Sequence, residues 1–401
     1  MTQKLFTKEF IALNAVTLFA FFNMAVFYGF YNYLGTIGIP RDLRGVILGI
    51  EPMTAFILRP FVMTRLHARN SHRVMLLGLG LLAACLCSYS WALSIPTLAL
   101  LRLIHGAAFV LLISASFTLV VNFIPAERSG QGFGVISTVT LIPYAVMPML
   151  AEALSRVTGS QARIYAIISL FALPALGLLL AAKKGIDAAL EANPAAASSR
   201  PDGAALRRNL ADPRIMVMLA AYVMLYFSHA TVFYFMKDRA AGLGGNAVGC
   251  FFAVSTAVII GVRALGGVFF DRIGKLPVAG AFLILLIASF TAMVRVVSPE
   301  WLTGVAAMYG LSIGVALPLM NAVMFGLSPA GLRGFNTNLT LFMMDAGYFI
   351  SPFLGGHLIA SGMPVSSLFI LCACLAAACL VCLAAVGMMK GNRKNPEETG
   401  V

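Results

Sequence analysis

SSLFILCACLAAACLVCLAAVGMM, Ser366–Met389, runs for 24 residues without a charged side chain and is closed by Lys390. A bilayer core about 30 Å thick takes about 20 apolar residues of helix, and a helix satisfies its own backbone hydrogen bonds in lipid. Outward from this stretch, similar runs recur between short punctuations of charge, Gly and Pro. They are Phe10–Leu34, Gly45–Leu66, Val74–Leu93, Pro96–Ile124, Gly132–Leu154, Arg163–Ala182, Ile215–Phe235, Ala247–Phe270, Leu276–Val296, Leu302–Leu327 and Phe335–Ala360. With the first they make twelve expected spans. Composition agrees: 60% of the 401 residues are hydrophobic, 11% are charged and the mean hydropathy is +0.92. A water-soluble domain carries roughly 25% charged side chains, so the expectation is an all-α membrane protein.

Basic residues give the orientation. With both termini cytoplasmic, 18 of the 28 Lys and Arg fall in cytoplasmic segments and seven in the opposite connections. Arg59, Arg102 and Arg263 lie inside spans. The net charge of +13 is therefore explained by topology, without a nucleic-acid partner. The first span is too long for the apolar region of a cleavable signal peptide. A polar stretch rich in Ala, Ser and Pro interrupts the pattern near the middle. It divides the chain into residues 1–182, a cytoplasmic linker 183–213, and residues 214–401. Cys372, Cys374, Cys379 and Cys382 sit in an apolar helix without a shared face, so no metal site and no cofactor is expected. No motif of hydrolytic or phosphate-binding chemistry lies at a plausible depth, which argues against an enzyme.

A shift of 204 residues superposes the two halves without a gap from the second span to the fifth. Arg59 falls on Arg263, Gly106 on Gly310, Pro125 on Pro329, Ala126 on Ala330, Gly130 on Gly334 and Pro148 on Pro352. These are punctuation residues with backbone roles. The expected architecture is two pseudo-symmetric six-helix bundles, and internal repeats of this kind are characteristic of secondary transporters.

At these positions the chain resembles the major facilitator superfamily over essentially its whole length. Arg263-Ala264-Leu265-Gly266-Gly267-Val268-Phe269-Phe270-Asp271-Arg272-Ile273-Gly274-Lys275 is similar to that family's GxxxDRxGK signature, and Arg102-Leu103-Ile104-His105-Gly106 to its RxxxG motif. Arg59-Pro60-Phe61 and Pro125-Ala126-Glu127-Arg128 resemble the arabinose-efflux-like and drug-efflux branch. The first-half signature departs, with Met63 and His67 at its Gly and Asp positions. In the fifth span Met147-Pro148-Met149-Leu150-Ala151-Glu152 replaces a GPxxGG-like antiporter motif, to which Ser351-Pro352-Phe353-Leu354-Gly355-Gly356 is closer. The resemblance implies a multi-pass protein of the cytoplasmic (inner) membrane, monomeric among its lipids. It would move a small-molecule solute by alternating access, with protons as partner and export as the direction. Uptake of an organic anion or sugar, by symport or facilitation, is the alternative.

Three acids lie inside spans: Glu51, Glu152 and Asp345. A charge at the bilayer centre costs about 2.5–3.5 kcal/mol on insertion scales, so each needs a partner, a cavity or a proton. Asp345 sits deep in the eleventh span with Asn338 one heptad earlier on the same face. It is the expected proton carrier, with a helix-packing ion pair as the alternative. Glu51 and Arg102 lie at similar depth in the outer third of their spans, so a contact or a shared water is expected; the resemblance implies a proton-relay role for Arg102, with a structural salt bridge as the alternative. His105 beside Gly106 is expected either to titrate near neutrality or to be a satisfied interhelical histidine. Glu152, near the outer end of its span, can reach water.

Arg59 and Arg263, near the cytoplasmic ends of their spans, are expected to snorkel and serve a conformational latch together with Gly267, Asp271, Arg272 and Gly274. The polar and aromatic set expected to touch solute is Asn23, Tyr28 and Tyr31 in span one, Tyr226, His229 and Tyr234 in span seven, Asn321 in span ten and Asn338. Interhelical bonding is the alternative for each.

Overall fold

The computed structural model describes residues 4–192, 202–240, 243, 247–272 and 274–391. Among them there is no strand. The helices are α1 (Lys8–Ala25), α2 (Phe30–Thr36), α3 (Arg41–Met63), α4 (Ala68–Ser88), α5 (Ile95–Val120), α6 (Ser129–Thr158), α7 (Gln161–Ser169), α8 (Ala172–Ala192), α9 (Gly203–Leu210), α10 (Pro213–Arg239), α11 (Ala247–Arg272), α12 (Lys275–Val294), α13 (Pro299–Leu327), α14 (Arg333–Ala360) and α15 (Ser366–Gly391). Ten helical stretches among the described residues are long and apolar enough to cross a membrane. The expected spans Phe10–Leu34 and Phe335–Ala360 are also helical but less uniformly apolar. A 3-10 turn at Val26–Gly29 separates α1 from α2. The first half of α14 carries Asn336, Thr337, Asn338, Thr340 and Asp345. The helix of the sixth span runs on into the polar stretch as far as Ala192, and α9 lies within the same stretch.

Large apolar side chains are exposed along the outer helix faces: Ile57 and Phe61 on α3, Leu100 on α5, Leu180 on α8, Ile284 on α12 and Val381 on α15. In water such a surface would be an aggregation hazard; in a bilayer it is the solvated face.

The chain forms two compact units. The first comprises Met1–Pro201 with Pro329–Asp345, the second Asp202–Ser328 with Ala346–Val401. In the first, α5 packs on α3 and α4, and α8 on α1 and α4. In the second, α13 packs on α11 and α12, and α15 on α10 and α12. These are the same neighbours displaced by one repeat.

Local geometry repeats with the same spacing of 204 residues. Ser94 Oγ accepts from the Thr97 N–H at the start of α5, and Ser298 Oγ from the Trp301 N–H at the start of α13, each capping backbone donors that a helix leaves open. The Pro125 and Pro329 positions each lead into a 3-10 turn, Ala126–Arg128 and Ala330–Leu332. A Cβ placed on Gly106 would lie 2.8 Å from the Glu51 carbonyl oxygen, and one on Gly310 would lie 2.5 Å from that of Ser255. Small residues at these sites let backbones approach, the usual device where lipid supplies no hydrophobic drive between helices.

Candidate functional site

Within the first unit, α3 contributes Glu51 and Arg59, α5 contributes Arg102, His105 and Ser114, and the first half of α14 contributes Asn338 and Asp345. Arg59 is fully buried and does not snorkel. Its Nε donates to Asp345 Oδ2 at 2.5 Å, its Nη2 to Oδ1 at 3.3 Å and its Nη1 to Ser114 Oγ at 3.0 Å. All three guanidinium nitrogens thus have acceptors. The clasp is two-pronged, a geometry that adds specificity to charge. One heptad earlier, Asn338 Nδ2 donates to Thr118 Oγ1 at 2.8 Å and to the Ser114 carbonyl at 3.1 Å. Asn338 therefore ties α14 to α5, the interhelical alternative among its expected roles. Gly334 lies against Thr118 on the same line of contact.

The second charge pair of this unit is different. Arg102 Nη2 donates to Glu51 Oε2 at 2.9 Å, the contact expected from their similar depth, and to the Leu48 carbonyl at 3.0 Å. Nε and Nη1 of Arg102 are buried and make no hydrogen bond. The guanidinium lies close to both Phe27 and Phe30, its Cζ 5.1 and 5.0 Å from ring centroids that are themselves 5.2 Å apart, so the two rings flank it from the same side. Such cation–π contacts stabilise a desolvated cation. His105, one turn along α5, faces the Tyr89 hydroxyl through Nδ1 at 3.3 Å, while its Nε2 makes no hydrogen bond. Asn23 is buried, and its Nδ2 donates to the Phe19 carbonyl of its own helix.

In the second unit the Tyr222 hydroxyl donates to Asn321 Oδ1 at 2.7 Å, and Tyr226 stacks on Tyr222 with centroids 6.1 Å apart. His229 Nδ1 is hydrogen-bonded to the Tyr309 hydroxyl, and the two rings stack. Tyr348 contacts both His229 and Tyr234 edge-on. Tyr234 is partly exposed, whereas Asn321 and His229 are engaged within the unit. Arg263 is buried and its Nε donates to the Gly314 carbonyl at 3.4 Å; like Arg59, it does not snorkel. Gly274 is exposed at the start of α12. The side chains of Tyr28, Tyr31, Asp271, Arg272 and Glu152, and Gly267, lie outside the described residues.

Sequence reasoning did not find Ser114 or the aromatic set of Phe27, Phe30 and Tyr89. Ser114 and Thr118 are one helical turn apart on α5, with Ser116 between them, and that spacing was the available signal. No pattern marks Tyr89, which lies beyond the end of α4. Chemically, the first unit holds two largely but not fully buried carboxylates, each against one buried arginine, a constellation suited to exchanging a proton for an ion-pair partner.

No curated protein sequence matches the chain significantly. Among solved structures, it is similar to the human organic anion transporter MFSD10 (TETRAN), at 17% identity and a TM-score of 0.72, covering 94% of this chain and 99% of that one. It is similar to a bacterial homologue of the iron transporter ferroportin in an outward-facing state, at 14% identity and a TM-score of 0.76, covering 95% and 99%. The E. coli fucose:proton symporter FucP matches at 11% identity and a TM-score of 0.67, covering 94% and 98%. These likenesses establish the fold. Residues 13–352 match the sequence model of the Major Facilitator Superfamily. That match takes in most of the chain and, with its apolar helices, identifies it: the protein is a multi-pass membrane protein belonging to the Major Facilitator Superfamily.

Proposed function

We propose that the protein is a proton-coupled secondary transporter that exports a small organic solute by alternating access, with Asp345 as the proton-carrying group. The observation that carries this reading is the buried two-pronged clasp between Arg59 and Asp345. An ionised Asp345 holds Arg59; a protonated one loses the charge that makes the bond strong, so proton binding and the release of α3 from α14 become one event. Asn338 fixes α14 beside the clasp, which confines the change to a single pair.

In this reading all twelve spans cross the membrane with both termini cytoplasmic. Residues 1–182 and 214–401 form the two bundles and 183–213 the connection between them. The arabinose-efflux-like branch, a place in the cytoplasmic membrane and a monomeric state belong to the same proposal. Arg263, Gly267, Asp271, Arg272 and Gly274 serve the conformational latch. Tyr226, His229, Tyr234 and Asn321, with Asn23, Tyr28 and Tyr31, are the residues we assign to solute contact. The alternative, proton-linked uptake of an organic anion, is favoured by one observation: Arg102 retains buried N–H groups without acceptors. A fucose:proton symporter and an organic anion transporter among the structural neighbours support coupling and anion transport as chemistries this fold accommodates.

The test is proton flux in proteoliposomes with a lumenal pH dye, challenged with lipophilic cations, sugars and organic anions. Solute-dependent lumenal alkalinisation that disappears in Asp345→Asn is the expected result. Acidification would reverse the direction to symport. Full coupling retained in Asp345→Asn would overturn the role of the clasp.

A further inference from the structure

The two arginine–carboxylate pairs of the first unit differ in how completely they are satisfied. Arg59 has acceptors on all three nitrogens. Arg102 makes well-formed hydrogen bonds from Nη2 alone; Nε and Nη1 are buried and make none of good geometry, with the Tyr89 hydroxyl as their one neighbouring polar side chain besides Glu51. A buried charged donor without an acceptor carries a desolvation cost that an incoming acceptor relieves. Glu51 is the more exposed member of the pair: the Arg102 side chain is 2% exposed and that of Glu51 is 12%. Glu51 supplies one carboxylate oxygen to a cation that has further buried N–H groups to satisfy.

From this we infer that Arg102 is a binding site for the carboxylate of an amphipathic organic anion, occupied when Glu51 is protonated. Protonation removes the charge of Glu51 and frees an Nη2 hydrogen beside the unpaired Nε–H. The incoming carboxylate then takes the guanidinium fork. One proton is added to Glu51 and one monoanion to Arg102, so the net charge of the site is unchanged. Phe27 and Phe30, both close to the guanidinium on one side, favour an anion with an aromatic or aliphatic body over a bare halide. Besides Arg102, the titratable groups that face Glu51 electrostatically are Tyr89 at the end of α4, Tyr144 on α6 and Asp345 on α14; His105 lies behind Arg102 on α5. Of these, Arg102 carries the positive charge, and Glu51 and Asp345 the negative ones.

This site rests on the transport reading but not on its direction. The experiment measures binding to the purified full chain in detergent, so it can fail while proton-coupled flux succeeds, or the reverse. Benzoate is titrated calorimetrically in chloride-free buffer at pH 5.5 and 7.5, with uncharged benzamide as control. The expected outcome is benzoate binding about tenfold tighter at pH 5.5, with proton uptake shown by buffers of different ionisation enthalpy. Glu51→Gln should bind benzoate tightly at both pH values, because its plug is permanently uncharged. Arg102→Gln should weaken binding at least about tenfold, and Arg102→Lys, which keeps charge without the fork, should fall between. Any of three results would overturn the site: no benzoate binding to folded Glu51→Gln, a pH dependence that survives in that variant, or equal binding of benzamide. Chloride reproducing the pH-linked signal where benzoate gives none would refute the organic character of the ligand.

Discussion

Cutting the Asp345 carboxylate back to a methyl, Asp345→Ala, would leave the buried Arg59 guanidinium with one remaining side-chain acceptor, Ser114 Oγ. Arg59 is fully buried and Asp345 is 9% exposed, so solvent cannot replace what is lost. Breaking one side of a buried pair typically costs about 3–5 kcal/mol, whereas exchanging both partners for apolar residues is often near neutral. Asp345→Ala should therefore lower unfolding free energy by about 3–5 kcal/mol. The pair Arg59→Met with Asp345→Leu should recover most of it, leaving a coupling of about 3 kcal/mol. Asp345→Asn keeps an acceptor but not its charge, and should cost about 1–2 kcal/mol, the difference between a charge-assisted and a neutral hydrogen bond. The assay is equilibrium unfolding of purified protein in mixed micelles with rising SDS fraction, followed by circular dichroism. If Asp345→Ala loses less than about 1 kcal/mol, or the double variant is no more stable than the single one, the clasp does not carry the electrostatic load assigned to it.

Two further outcomes follow from local geometry. Gly310→Ala should cost about 1–3 kcal/mol in the same assay, because its methyl would lie 2.5 Å from the Ser255 carbonyl oxygen. Gly304→Ala, on the same helix with nothing within 4 Å, should be tolerated; equal stability of the two variants would contradict the close approach. His67, between α3 and α4, has its ring pKa lowered below the ordinary 6.5, first by partial burial and then by the Arg69 charge. The neutral ring is therefore the one the folded state favours. Its contribution is present above pH 6.5 and is lost as pH falls through the depressed folded value. His67→Asn should flatten that part of the stability–pH curve, and an unchanged slope would show that the ring does not sense folding.

The helical spans were legible because lipid imposes a length and an apolar composition that no other constraint mimics. The repeat was legible because Gly and Pro mark backbone geometry, which duplication preserves. The Glu51–Arg102 contact could be read from matching depth alone. The partner of Asp345 could not: Arg59 is 286 residues away, and its depth suggested a side chain reaching toward water. Only the packing of the first half of α14 against α3 and α5 makes the nearer carboxylate the better partner. Similarly, Asn338 carried the pattern of a solute contact, and its Nδ2 is given to Thr118 and Ser114 while its Oδ1 makes no hydrogen bond. A sequence gives the polarity of a side chain in a span but not whether a neighbouring helix has already taken its hydrogen bonds.

The approach of Gly106 to position 51 and of Gly310 to position 255 is made to main-chain atoms. Main-chain atoms are common to all residues, so the crossing of these helices places no demand on which side chain position 51 or 255 bears. After a duplication, each copy was free to change that side chain without loosening the joint beneath it. One copy holds Glu51 and the other Ser255. The ancestral scaffold thus tolerates one half becoming ionisable at this position while the other remains neutral. Retuning the chemistry of either half requires a single substitution and no rebuilding of the helix crossing.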